Sequence, residues 1–542
     1  MRLPNYAASV AVALLGVSTH SLAAPPPAPQ VTVGADLKLL RFDWEPVAGA
    51  TYYQLWIKPG GSCFFTVGER ILASTTHAEH PIAVHLQDWE RTRYIVTACN
   101  TSGCTSSAAL NPRNLMLDTI GYLKASNTDP DDRFGREVTL SDDGRTLAVS
   151  AEHESSGASG VNGDQDDNSS LNSGAVYIFR PTAAGWRQTA YLKPPRNLPG
   201  LRFGVGQPQN QRAVALSSDG SIIAIGATSD GGLEGVVYVF RRAGSTWSLS
   251  ATLRSPAPQS ADFFGYSIDM SLDGRTIKVN SLQPQDAEVN HEGRTHIFDR
   301  SGSTWVHKVT LAPFHAGDFC SKVRMSGDGL TLVANCFVPH GNVFRAVTLK
   351  RVGDAWVHAG DLPLTSFTNE QPLALNFDAT AMALTQSGTP NSSVGVYRWD
   401  GSTWVREANL SAPSTLPSSG SFGIALAFSR DGKRLAIGDF SSPAGGAGVS
   451  NSVQSGTAPH GAVFLYHRNG PVASPWQLRS VVKAPNPGSP NPGQDLFGIS
   501  VALSGSGRTL AVGAVAEDSN ARGIDGNQSN ESAPDAGAAY VY

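Results

Sequence analysis

Two segments of this 542-residue chain carry side-chain oxygens at a spacing that suits a hard cation or a polar partner. The first, HESSGASGVNGDQDDNSSLNSG, runs from His153 to Gly174, and the second, EDSNARGIDGNQSNESAPDAG, from Glu517 to Gly537. Each contains Gly-Val/Ile-Asn/Asp-Gly-Asp/Asn-Gln. Asp164, Asp166 and Asn168 in one, and Asp525, Asn527 and Asn530 in the other, are the candidate ligand-binding residues. Ca2+ takes about six to eight oxygens of this kind, which makes Asp164, Asp166 and Asp525 the expected metal ligands and Ca2+ the cofactor these residues suit. Asn, Asp, Gly and Ser are also the ordinary constituents of long solvated loops. A third segment, GAGVSNSVQSGTAPHG from Gly446 to Gly461, is related but less acidic.

No arrangement for catalysis stands out: the chain holds no Gly-x-Ser-x-Gly elbow, His-Glu-x-x-His helix, phosphate-cradling loop or Cys-x-x-Cys pair. His77-Ala78-Glu79-His80 reads as an exposed loop, with metal binding on a turn as the alternative. Cys320 and Cys336 are equidistant from Asp328 in Gly327-Asp328-Gly329, so a hairpin there sets them opposite one another and within disulfide reach. Cys99 and Cys104 bracket the turn in ACNTSGCT and form the second expected disulfide, which leaves Cys63 over.

The elements that must hold the two acidic segments are repeats. FGREVTLSDDGRTLAVSA returns as RAVALSSDGSIIAIGA, FGYSIDMSLDGRTIKVNS, FCSKVRMSGDGLTLVANC, LALNFDATAMALTQ, FGIALAFSRDGKRLAIGD and FGISVALSGSGRTLAVGA. Each copy predicts two alternating strands joined at a Ser-x-Asp-Gly corner, with glycine in the left-handed conformation at Gly144, Gly220, Gly274, Gly329, Gly432 and Gly507. The fifth copy has Asp378-Ala379 there, and a different turn is expected. A third strand follows in each repeat, then a fourth marked by Trp186, Trp247, Trp305, Trp356, Trp404 or Trp476. The last copy lacks a fourth strand, and DTIGYLKAS from Asp118 to Ser126 is a lone strand at the start of the array that can complete it. Such pairing removes the open sheet edges. The connections between second and third strands are long only in the sixth, seventh and first copies, which are consecutive in a closed ring, so the three segments should share one face.

Phe134-Gly135, Phe203-Gly204, Phe264-Gly265, Phe422-Gly423 and Phe497-Gly498, each followed by Gly-Ala or a near variant, resemble the FG-GAP repeats of integrin α chains and of bacterial exported proteins. The resemblance implies a seven-bladed β-propeller over residues 117–542. Integrin-type repeats often carry a calcium loop between the first two strands, but the tight Ser-x-Asp-Gly corner here is too short to wrap a cation. Asp132, Asp262 and Asp495, two residues before a Phe-Gly, read as turn formers that accept backbone N–H groups.

Residues 24–116 resemble a fibronectin type III domain, an Ig-like β-sandwich, with Trp44 in the second strand, Tyr52-Tyr53 opening the third, Leu86 before a corner and Tyr94 in the sixth. Residues 1–23 read as a signal peptide, with Arg2, the apolar run Ala7–Val17 and cleavage after Ala23. The expected fold class is therefore all-β, and the mature protein is expected to lie outside the cytoplasm, in the periplasm, at the cell surface or released. A formal charge of −4 argues against a nucleic-acid surface, and no later stretch is apolar enough for a transmembrane segment. The expectation is a monomeric, non-enzymatic binding or adhesion protein whose partner is an extracellular protein or glycan. The alternatives are an exported hydrolase or lyase acting on polysaccharide and a structural envelope component.

Overall fold

The computed structural model describes residues 24–542 except 183–184, 207–211, 283–292, 314, 316–317, 339–342, 365–371, 387–391, 457, 471–473 and 487–493. The predicted signal peptide lies outside the described residues. The chain forms two compact units, one of residues up to Val33, Arg41–Glu79 and Arg91–Asn111, the other of Gly34–Leu40, His80–Glu90 and Pro112–Tyr542. The protein is all-β, built from small antiparallel sheets.

Two sheets lie N-terminal. One has Leu39–Trp44 between Val31–Asp36 and His77–Pro81, and the other runs in the order Phe65–Leu72, Tyr52–Lys58, Arg93–Asn100, Gly103–Ser106. Phe42 packs on Tyr94 with ring centres 5.0 Å apart, and Trp44 on Tyr53 at 5.1 Å, all four buried. The His77-Ala78-Glu79-His80 segment, expected as a loop, is part of a strand. Its polar side chains alternate with Ala78, and His77 and Glu79 face water while the backbone pairs, so polarity alone was a poor guide.

Among the described residues seven further sheets follow, referred to as sheets 1 to 7 in chain order. Their first strands are Phe134–Leu140, Val214–Leu216, Ser267–Met270, Phe319–Met325, Leu373–Leu375, Ala425–Phe428 and Ser500–Leu503. These strands lie beside one another in sequence, and the seventh lies beside the first. Second strands such as Ile222–Ala227 are buried on both faces, whereas the fourth strand Thr304–Leu311 alternates between exposed and half-buried. Apolar side chains of adjacent sheets mesh, as where Val176 and Ile178 of sheet 1 meet Phe203, Ile223 and Phe240 of sheet 2. The fourth strand of sheet 7 is Gly121–Leu123, with Tyr122 opposite Tyr540 and Leu123 opposite Ala539. The lone strand thus completes the last sheet, although it is shorter than Asp118–Ser126 because Leu117–Thr119 forms a 3-10 turn.

The packing between sheets explains the Phe-Gly and Gly-Ala pairs. Phe134 forms a parallel bridge to Gly537 of sheet 7, as Phe497 does to Gly461 of sheet 6. A Cβ on Gly135 would sit 2.1 Å from the carbonyl oxygen of Ala538, so only glycine admits this approach. The phenylalanine rings are buried and meet aromatic rings of third strands, Phe134 with Tyr177 at 5.3 Å and Phe422 with Phe464 at 5.5 Å.

The corners form as expected: Gly144 has φ 68° and Gly507 φ 64°. The fifth corner is a correction. Ala379 takes the same left-handed conformation at φ 50°, and Asn376 replaces the usual serine, its Oδ1 accepting from Ala381 N at 2.8 Å as Ser141 Oγ accepts from Thr146 N at 2.9 Å. The hydrogen-bonded side chain, more than the glycine, defines the turn. Both expected disulfides form, Cys99–Cys104 and Cys320–Cys336, and Cys63 is a free, exposed cysteine.

Candidate functional site

The long connections of sheets 1 and 7 are built on the same plan. In sheet 1 the fully buried Glu154 accepts from Lys193 Nζ at 2.7 Å, Tyr191 Oη at 2.7 Å, Asn127 Nδ2 at 3.0 Å and Ser156 N at 3.1 Å. In sheet 7 Glu517 accepts from Lys124 Nζ at 2.8 Å, Tyr122 Oη at 2.7 Å and Ser519 N at 3.3 Å. Burial pulls both lysines down from the usual ammonium range, and the adjoining glutamates oppose it. Buried charges persist only when paired and hydrogen-bonded, and these pairs meet that condition.

From each anchor the loop turns back along the fourth strand. Ser156 Oγ donates to the carbonyl of Asp164 at 2.6 Å and Ser519 Oγ to that of Asn527 at 2.8 Å. Lys193 N donates to Gly160 O at 2.8 Å, and Lys124 N to Gly523 O at 2.7 Å. Asn162 and Asp525 are both left-handed, at φ 55° and 54°, and their Oδ1 atoms accept from Tyr191 N at 2.9 Å and Tyr122 N at 3.0 Å. The third connection, in sheet 6, follows the same path, with Lys483 N on Gly448 O at 2.7 Å. Ser442 stands where the anchoring glutamate would be, and Lys483 Nζ donates instead to the carbonyl of Gly461 at 2.6 Å.

This geometry separates the sequence-predicted site residues. Asp525 is a fold-holding residue: its carboxylate is turned onto the Tyr122 amide. Asp164 Oδ1 accepts from Asp166 N at 3.1 Å, Asn168 Nδ2 donates to Asp129 at 2.7 Å, Asn527 Oδ1 accepts from Ser529 N at 3.0 Å, and Asn530 Oδ1 accepts from Ser532 N at 2.9 Å. Asp166 is exposed and faces Arg522 of the other loop at 3.7 Å. The loops of sheets 1 and 7 are thus neighbours, and Arg133 N also donates to Asp535 O at 3.0 Å. Asp164, Asp166 and Asp525 do not converge as a ligand set, because each is already turned to a different partner. Among the described residues the His, Cys and carboxylate groups that do converge are His315, His358 and Asp361, and Asp318 beside the Cys320–Cys336 disulfide. In the first of these Asp361 takes both imidazoles at 2.9 and 2.7 Å with Arg345 at 3.7 Å, a closed cluster that a cation would have to open.

Asp132 and Asp262 cap backbone amides as expected, accepting from Asp129 N at 3.0 Å and Gln259 N at 2.9 Å. Burial raises the Asp132 carboxyl to about 8 and the Asp495 carboxyl to about 7. The residues missed by sequence reasoning are the anchors themselves. Their signal was a double coincidence, Glu-x-Ser at Glu154 and Glu517 together with Tyr-Leu-Lys at Tyr191 and Tyr122.

Residues 120–179 match the FG-GAP repeat family. With the array of small antiparallel sheets, that match supports a β-propeller fold. No curated protein matches the sequence. Similar solved structures include the β-propeller domain of Cps50 (Swd1) from Myceliophthora thermophila, at 10% identity and TM-score 0.44 over 78% of this chain and 99% of that one. Hydrazine synthase of Kuenenia stuttgartiensis is similar at 14% identity and TM-score 0.43, over 72% and 94%. A proposed 6-phosphogluconolactonase of Bacteroides fragilis is similar at 9% identity and TM-score 0.39, over 81% and 98%. Likeness of this degree says nothing about activity.

Proposed function

We propose that the chain is an exported, integrin α-like binding protein, a fibronectin type III-type sandwich followed in sequence by a seven-bladed propeller, that recognises an extracellular protein or glycan through the loops of sheets 1 and 7. The observation that carries this reading is the duplication of a costly anchor. Two buried Glu–Lys pairs fix two adjacent polar loops, and what they hold outward is Asp166, Arg522, Asn168 and Asn527. Recognition on pre-ordered loops loses less entropy than recognition on loose ones. Polar side chains on such loops read hydroxyl-rich or polar peptide surfaces through hydrogen bonds. Binding of the full chain to immobilised glycans and matrix proteins tests the reading. The variant Asp166→Ala/Arg522→Ala/Asn168→Ala should keep its unfolding transition and lose at least about tenfold in affinity, roughly 1.4 kcal/mol. Unchanged affinity for whatever ligand the wild type captures would remove these loops as the recognition surface.

A further inference from the structure

The first strands of the sheets enclose a channel with two cavities, of about 80 Å3 and about 170 Å3. Arg212 and Arg324 line both. Either cavity alone is several times the roughly 10–15 Å3 that a single water needs.

The charges around these two arginines do not balance. Asp269 is shared, with Arg324 Nη2 at 2.8 Å and Lys278 Nζ at 3.1 Å, and also accepts from Met325 N at 3.0 Å. Glu137 is spent on backbone, accepting from Ala213 N at 2.8 Å and Val214 N at 3.3 Å. Arg212 Nη2 donates to the carbonyl of Leu426 at 3.2 Å, a neutral acceptor. Among the described residues three cations therefore meet two carboxylates there, and Lys322 lines the smaller cavity as well. Burial and the neighbouring Arg324 draw Arg212 down to about 10 and burial draws Lys278 down to about 8, both still charged at neutrality, while burial lifts Glu137 to about 7. The Nε of Arg324 is buried without an acceptor. Uncompensated charge in a low-dielectric site is expensive, and guanidinium pairs bind oxyanions through parallel, charge-assisted hydrogen bonds.

We propose that the channel is a binding site for a small oxyanion, a phosphate or carboxylate group held between Arg212 and Arg324. The site uses no residue of the loop face, so either reading can fail without the other. Calorimetric titration of the full chain with inorganic phosphate, sulfate and succinate, at constant ionic strength set with chloride, tests it. Saturable binding of at least one of these is expected, with phosphate and sulfate favoured if the ligand is a free tetrahedral ion and succinate if it is a carboxylate-bearing molecule. Arg212→Gln should weaken that binding at least about tenfold, and Arg212→Lys should restore part of it. Arg522→Ala, outside the channel, should leave it unchanged. Absence of saturable binding by the wild type at millimolar anion would overturn the proposal even if the arginine variants fail to fold. Equal binding by a folded Arg212→Gln variant would also overturn it.

Discussion

The connections of sheets 1 and 7 and that of sheet 6 follow the same course along their fourth strands, yet only the first two hang on a buried carboxylate. Where Glu154 and Glu517 stand, sheet 6 has Ser442, and its Lys483 finds a main-chain carbonyl. One path is therefore reachable with or without an ion pair, and backbone pairing through Gly160, Gly523 and Gly448 is the shared determinant. The ion pair adds commitment: once Lys193 or Lys124 is buried, the loop that supplies its carboxylate cannot leave without stranding a charge.

The comparison can be broken most severely at the closing strand. A chain beginning at Asn127 lacks Tyr122 and Lys124, so it loses the edge strand of sheet 7 and the partner of Glu517 together. It should unfold far below the intact protein in calorimetry, and a coincident transition would refute the closing role. Next, Glu154→Ala or Glu517→Ala should cost about 3–5 kcal/mol in denaturant melts, the penalty for orphaning a buried cation. Lys483→Met in sheet 6 should cost less, since its Nζ donates to a main-chain carbonyl and Asp439 and Asp495 act on it through charge without a direct ion pair.

Asp132 sharpens the comparison through pH, because it lies within electrostatic reach of both Glu154 and Lys124. Burial, then the neighbouring Glu154 and Asp129, raise its carboxyl to about 8, while the Asp129 amide and Lys124 oppose the rise. The folded state therefore holds a proton that the unfolded chain has released. This group's contribution is most favourable below about pH 4, is eroded as pH rises, and is exhausted above about 8. Asp132→Asn should flatten the wild-type decline in stability between those limits, read as melting temperature against pH. An identical slope in the variant would contradict the assignment. The smallest effect is expected at Asp525→Asn, which copies Asn162 and should lie within about 0.5 kcal/mol of wild type. Asp525→Ala should cost about 1–2 kcal/mol, for a lost hydrogen bond and a left-handed alanine.

Strand pairs, corners, both disulfides and the closing strand were legible because each is encoded within a few residues or by mirror symmetry about a turn. The turn at Ala379 was misjudged because glycine was taken as its determinant, when the Asn376 side chain does the bonding. The capping role of Asp525 was not legible for a related reason: the backbone amide it accepts from lies some four hundred positions away. The pairing of Glu154 with Lys193, and the meeting of Arg212 with Arg324, depend on which strands become neighbours. No local period in the sequence carries that information.

The pairing of Gly121–Leu123 with Ala538–Val541 also sets a timetable for biogenesis. The first strand of the array emerges from the ribosome with its partner still unmade, and at about 5–20 residues per second the wait lasts tens of seconds. Until then sheet 7 cannot form and Lys124 has no carboxylate to bury against. Closure over so long a span adds little entropy cost beyond that of a shorter loop, but contacts so distant in sequence slow the search. Sheets 1 to 6 are each built from strands consecutive in the chain, so sheet 7 alone waits for a partner made hundreds of residues later.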